Sequence, residues 1–163
     1  MRLTVPCLFG LESLVSDEMK RLHLNDVRAE NGRVHCEGNI LDIARLNLNL
    51  RCGARVLMEL GSFPAPDFEA LFQGVLALPW EGYIPRDGEF PVKGYSLPSA
   101  LHSVPACQAI VKKAAAKRLG GVYGCETLPE TGSRYQIQFA IIKDTASLYL
   151  DTSGEGLYKR GYR

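Results

Sequence analysis

At 163 residues, with 46% apolar and 23% charged side chains, the chain is long enough to bury a core without disulfide or metal staples. Its formal net charge of +1 excludes a protein that is basic or acidic all over. No run of about 18 apolar residues occurs and no charged-then-apolar leader opens the chain, so neither a membrane span nor a secretory signal is indicated, and a cytoplasmic protein is expected.

Taken in chain order, Arg2–Cys7 reads as a short strand, and Gly10–Leu22 sets Leu11, Leu14, Val15, Met19 and Leu22 along one stripe of a helix. Residues 26–30 and 33–37 read as strands joined at Asn31-Gly32, a two-residue hairpin signal. Asn39 is placed to cap a second helix running to about Leu50, with Ile40, Ile43, Ala44, Leu46 and Leu50 on its apolar side, and Arg55–Leu60 reads as a strand. Strand, helix, strand, strand, helix, strand is the split βαβ, ferredoxin-like order. The expected fold class is therefore α+β, with a ferredoxin-like N-terminal domain over residues 1–65.

Ser62–Pro66, rich in proline, reads as a junction to a second α/β unit over residues 66–155. There Asp67 caps a helix whose apolar side is Phe68, Leu71, Phe72, Val75 and Leu76, and which ends near Pro79–Gly82. Glu89–Gly94 reads as an edge strand, because Pro91 has no N–H to give to a central ladder. A helix from about Pro105 to Leu119 follows, then two alternating strands, Arg134–Ile142 and Thr145–Leu150, joined at Lys143-Asp144. Residues 156–163 read as the start of a basic linker, and the chain is expected to continue into another domain. The five cysteines lack Cys-x-x-Cys spacing and read as buried reduced thiols, while His23, His35 and His102 fall at no ligand spacing, so no metal is expected.

Charge is unevenly distributed. Between Glu89 and Glu126 there is no acidic residue, whereas Lys93, Lys112, Lys113, Lys117 and Arg118 supply five positive charges. At 100° per residue, Cys107, Ile110, Val111, Ala114 and Ala115 cover one side of the helix after Pro105, and Lys112, Lys113 and Lys117 are expected to face solvent on the other. Pro105 in the first helical turn puts His102 and Ser103 beside the exposed N–H groups of the helix start, an anion site in outline. The alternative is a Ser103 cap with His102 packed or solvated. Joined to Lys93 on the preceding strand, these residues suggest a groove that tracks a phosphodiester backbone, although three lysines on a helix also suit a plain solvated face. Tyr95 reads first as a core position, with stacking on a base as the alternative.

The set Leu101-His-Ser-Val-Pro105, Gln108–Lys113, Leu128–Gly132 with Arg134-Tyr135, and Asp151–Arg163 resembles the N-terminal part of THUMP-containing, S-adenosylmethionine-dependent RNA methyltransferases. It is most similar to the bacterial group that modifies guanine N2 in large-subunit ribosomal RNA. Pro6–Glu12, Asn31–Val34 and Leu46–Arg51 resemble that group's ferredoxin-like domain, and the likeness covers essentially the whole chain. Tyr158 departs from the family pattern, in which histidine is common.

The resemblance implies a ferredoxin-like domain followed by a THUMP domain that binds structured RNA, 23S rRNA in this group, and presents it to a methyltransferase domain beyond Arg163. S-adenosylmethionine and the catalytic Asn/Asp-Pro-Pro-Tyr-type motif would belong to that further domain. Neither that motif nor a glycine-rich loop following a strand occurs here, so no catalytic residue and no cofactor are expected in these residues. No membrane or DNA partner is expected either. The implied RNA contacts are Lys93, His102, Ser103, Lys112, Lys113, Lys117, Arg134, Lys159, Arg160 and Arg163. Two other readings stay open: a THUMP module of a tRNA-modifying enzyme, and a ferredoxin-like module for a protein or metabolite partner.

Overall fold

The computed structural model describes residues 1–159. They form two units, one of Met1–Glu59 together with the chain from Asp151 onward, the other of Leu60–Leu150.

In the first unit the elements are β1 (Arg2–Pro6), α1 (Glu12–Arg21), β2 (Asn25–Glu30), β3 (Arg33–Glu37), α2 (Ile40–Asn49) and the opening residues of β4 (Leu57–Pro64). The strands lie in the order β2-β3-β1-β4, with every pair antiparallel. Register sets Leu3 opposite both Cys36 and Met58, so Leu3, Val5, Val34 and Cys36 share a face. These side chains are buried together with Val15 and Met19 of α1 and Leu46 of α2. The hairpin turns at Gly32, whose φ of 75° suits a residue without a Cβ. Glu12 ties the turn down, accepting the Gly10 and Gly32 N–H groups at 2.8 Å each. Asn39 and Asp42 form a reciprocal capping box at the start of α2.

On the other face of β1 and β3, His35 is buried with both ring nitrogens engaged, Nδ1 to Thr4 Oγ1 at 2.8 Å and Nε2 to Glu30 Oε2 at 3.1 Å. The tail closes this unit. Asp151 pairs with Arg55, the Thr152 N–H and hydroxyl donate to the Val56 carbonyl at 3.0 and 2.7 Å, and the Leu157 N–H donates to the Ala54 carbonyl at 2.8 Å.

The second unit holds the rest of β4, α3 (Phe68–Leu76), β5 (Val92–Ser96), α4 (Val104–Tyr123), β6 (Ile137–Ile142) and β7, which spans Thr145–Asp151. Its strand order is β4-β7-β6-β5. β6 and β7 form an antiparallel hairpin through Lys143 and Asp144, whose φ values of 50° and 59° are those a two-residue hairpin turn demands. β5 pairs with β6 in parallel, which requires the crossover that α4 provides. Ile137, Phe139, Ile141, Ala146, Leu148 and Leu150 point to one face and are buried with Leu71 and Val75 of α3 and Val111, Ala114 and Ala115 of α4. Trp80 completes this core, its indole N–H donating to the Val75 carbonyl at 2.8 Å.

The clearest differences from the sequence expectation lie at four elements. β4 continues to Pro64 rather than ending at Leu60. β5 covers Val92–Ser96 rather than 89–94, and β6 begins at Ile137 rather than Arg134; Glu89 and Arg134 form only an isolated bridge. α4 runs to Tyr123 instead of stopping at Leu119. Gly120 is there for close packing, since a Cβ would stand 2.6 Å from the Cys125 carbonyl oxygen, and it is Gly124, at φ 67°, that caps the helix. Among the described residues no helix is long and apolar enough to cross a membrane.

Candidate nucleic-acid interface

The acid-free stretch of sequence becomes β5, the connection 97–103 and α4. Two of its five cations are neutralised by acids from outside it. Lys112 was expected to face solvent; instead its ammonium sits 3.6 Å from the centre of the Phe90 ring and donates to the Phe90 carbonyl at 3.0 Å and to Glu130 at 2.5 Å. The reason is angular: Lys112 lies about 100° from Lys113 around the helix, turned towards the sheet. Burial raises the Glu130 pKa, but the Lys112 ammonium and the Phe90 N–H outweigh it and leave the carboxyl below its ordinary value. Arg118 makes a two-pronged contact with Glu81 at 2.7 and 3.0 Å.

Lys93, Lys113 and Lys117 are exposed and form no ion pair with any described residue. The Lys117 ammonium lies 5.6 Å from the Phe72 ring centre, which steadies the side chain and leaves its charge in water. Lys113 and Lys117 are one helical turn apart on the outer face of α4.

His102 and Ser103 are both exposed at the start of α4. The Ser103 carbonyl accepts the Cys107 N–H at 3.0 Å, while its hydroxyl makes no capping bond and the first turn carries no acid. From Ser103, Lys113 and Lys117 lie about 15 and 21 Å along the helix axis at 1.5 Å per residue. Lys143, which the sequence reading passed over as a turn residue, stands at this same end of the unit. The Leu97 N–H donates to the Ile141 carbonyl and the Ala100 N–H to the Asp144 carboxylate at 2.7 Å, drawing the 97–103 connection against the Lys143-Asp144 turn. A lysine in a two-residue hairpin turn is necessarily exposed, and that was the available signal.

The expected single groove does not form. Phe90 and Gly94 lie on the sheet face that carries α3 and α4, shown by Lys112 over the Phe90 ring and by Gly94, where a Cβ would meet the Phe139 ring. Lys93 and Tyr95 alternate to the opposite face, so Lys93 is separated from the α4 lysines by the sheet itself. Tyr95, read first as core, is 45% exposed there. Arg134 is exposed beside Glu89 at the far end of β6, away from Ser103 and Lys143. Lys159 is exposed on the 3-10 turn Leu157–Lys159 of the first unit, and Arg160 and Arg163 lie outside the described residues.

The family comparison divides the chain into two parts much as the fold does. Residues 65–151 match the THUMP domain and residues 2–57 the RlmL ferredoxin-like domain, and the chain belongs to the THUMP family. Among curated proteins it is 42% identical over 156 residues to YpsC of Bacillus subtilis (strain 168), whose name assigns it provisionally to the RNA methyltransferases. It is 30% identical over 162 residues to ribosomal RNA large subunit methyltransferase K/L of Pseudomonas aeruginosa. Those matches cover 94% and 99% of this chain but only 40% and 22% of the relatives. Among solved structures, one from Listeria monocytogenes, described as a predicted N6-adenine-specific DNA methylase, superposes with a TM-score of 0.94 at 47% identity, over 99% of this chain and 43% of that one. SMU.472, named as a methyltransferase by inference and solved with S-adenosylhomocysteine, gives 0.93 at 44% identity, over 99% and 44%.

Proposed function

We propose that this chain is the RNA-binding, substrate-presenting part of a longer S-adenosylmethionine-dependent methyltransferase that acts on guanine N2 of 23S rRNA. In this reading residues 66–155 hold structured RNA, residues 1–65 form the ferredoxin-like companion, and residues 156–163 lead towards the catalytic part. The observation that carries it is the ferredoxin-like and THUMP pair of matches, shared with a large-subunit rRNA methyltransferase, on a chain whose α4 exposes Lys113 and Lys117 unpaired.

Lys113 and Lys117, with His102, Ser103 and Lys143 at the helix start, would hold phosphates and set register, giving affinity without sequence information. Lys93 would act from the other face of the sheet. Arg134, Lys159, Arg160 and Arg163 are kept as peripheral contacts. Lys112 contributes by fixing the Glu130 segment against Phe90 rather than as a free cation.

The residues present do not fit S-adenosylmethionine. The glycines of 120–124 sit in the last turn and cap of α4, not in a loop from strand to helix that would aim N–H groups at a cofactor. The cofactor would be held by the remainder of the longer protein.

Deleting the coding sequence and mapping N2-methylguanosine in large-subunit rRNA by mass spectrometry tests the proposal. Loss of the modification at one guanine is expected. Intact rRNA with a tRNA modification missing would move the assignment to a tRNA-modifying enzyme, and a missing N6-methyladenine in DNA would align it with the description of the Listeria relative.

A further inference from the structure

The helix-free face of β5 carries exposed side chains that the α4 assignment leaves unused. Lys93 and Tyr95 are two residues apart on this edge strand and so point the same way, with Cα atoms about 7 Å apart. Register puts Gln138 beside Lys93 and Ala140 beside Tyr95 on β6, and Ser147 beyond Ala140 on β7. The Ser147 hydroxyl contacts that of Ser62 on β4 at 3.1 Å. A half-exposed aromatic ring at the sheet edge is thus bordered by small side chains on one flank and by an ammonium and an amide on the next row. Neither Lys93 nor Tyr95 makes a hydrogen bond, ion pair or ring contact with any described residue through its side chain. The strand is held rigidly beneath them: Gly94 is pressed so close to β6 that a Cβ would stand 2.4 Å from the Phe139 carbonyl oxygen.

Lysine, amide and ring together match one nucleotide. A base can lie on the ring, its own phosphate is within reach of the ammonium, and the carboxamide can both donate to and accept from a base edge. We infer that Tyr95, Lys93 and Gln138 form a subsite for one unpaired nucleotide of the RNA, Tyr95 stacking on the base, Lys93 holding the phosphate and Gln138 reading the base edge. The inference rests on the RNA-binding reading above and narrows its substrate to RNA with an unstacked base beside the helical part. A duplex offers no free π-face and would be held by α4 alone.

The test is a titration of the 163-residue chain with an RNA hairpin carrying an unpaired loop and with a fully paired RNA of equal length. It is run for the wild type, Tyr95→Ala, Tyr95→Phe, Lys93→Ala and Gln138→Ala, with near-UV circular dichroism confirming the fold of each. Tyr95→Ala is expected to weaken hairpin binding about tenfold and leave the paired RNA within about twofold. Tyr95→Phe keeps the wild-type affinity because the ring is retained, Lys93→Ala flattens the salt dependence on the hairpin only, and Gln138→Ala reduces the preference among loop bases. If the wild type distinguishes hairpin from paired RNA but Tyr95→Ala does not change that difference, the subsite is wrong and the RNA-binding reading stands. Equal weakening on both RNAs also overturns the subsite. If the wild type binds neither RNA, both ideas fall together.

Discussion

Individual charged residues in this chain are committed to different tasks by what lies next to them. Arg55 neutralises Asp151, whose side chain is only 1% exposed. Arg55→Ala therefore strands a buried carboxylate and is expected to cost about 3 kcal/mol, read as a fall in the denaturant midpoint with an unchanged slope. The Lys112–Glu130 pair is 37% and 32% exposed, so solvent screens it. Lys112→Met, which keeps an apolar stem over Phe90, should lose only about 0.5–1 kcal/mol. Because the folded Glu130 carboxyl titrates below its ordinary value, its contribution is present above the ordinary glutamate range and disappears as pH falls through the folded pKa. His35 behaves in the opposite chemical sense with the same dependence on acid. Burial, opposed by Glu30, holds its pKa below 6.5, so the ring stays neutral in the fold and stability declines as pH drops below about 6.5. In His35→Gln, the wild type's loss of stability between about pH 7 and pH 5 should be measurably smaller by chemical denaturation.

At the scale of elements, α4 shows what periodicity can and cannot disclose. Its length was underestimated at Leu119, whereas the helix runs on through Gly120 and Gly121 to Tyr123 and ends at the Gly124 cap, where the Cys125 N–H donates to the Gly120 carbonyl at 3.0 Å. Its three lysines were grouped by helical angle on the side away from Cys107 and Val111, and only the position of Phe90 and Glu130 decides that Lys112 turns inward. The helix therefore carries two free cations and not three. Lys113→Ala combined with Lys117→Ala should flatten the salt dependence of RNA binding, by about 0.9 in log–log slope for each duplex phosphate left without its lysine, and should leave the thermal midpoint unchanged. Lys112→Met should do the reverse. The Lys143-Asp144 turn was placed correctly by its position between two alternating runs, but its function as the anchor for the 97–103 connection depends on the Asp144 carboxylate reaching Ala100. Asp144→Ala should loosen the approach to His102 and Ser103, seen as faster amide exchange over residues 97–103 with the hydrogen exchange of β6 unchanged.

For the whole molecule, the order of elements was legible because each carries its own signal: Asn39 and Asp67 as caps, Asn31-Gly32 as a hairpin, and Pro91 immediately ahead of the edge strand β5. What sequence reasoning missed is which sheet face a residue occupies, since that depends on register; Lys93 and Lys113 are drawn together by charge along the chain and parted by the sheet in space. Tyr95 was misjudged for the same reason, because an alternating strand of mixed character reads alike whichever face the helices cover. The central claim, that this THUMP-bearing chain is an RNA-presenting module, is tested most directly by titrating it with a structured ribosomal RNA hairpin and with duplex DNA of matched length across a salt series. Tighter binding to the RNA, with a steep loss of affinity as salt rises, is the expected result. Equal, weak binding to both nucleic acids would contradict it.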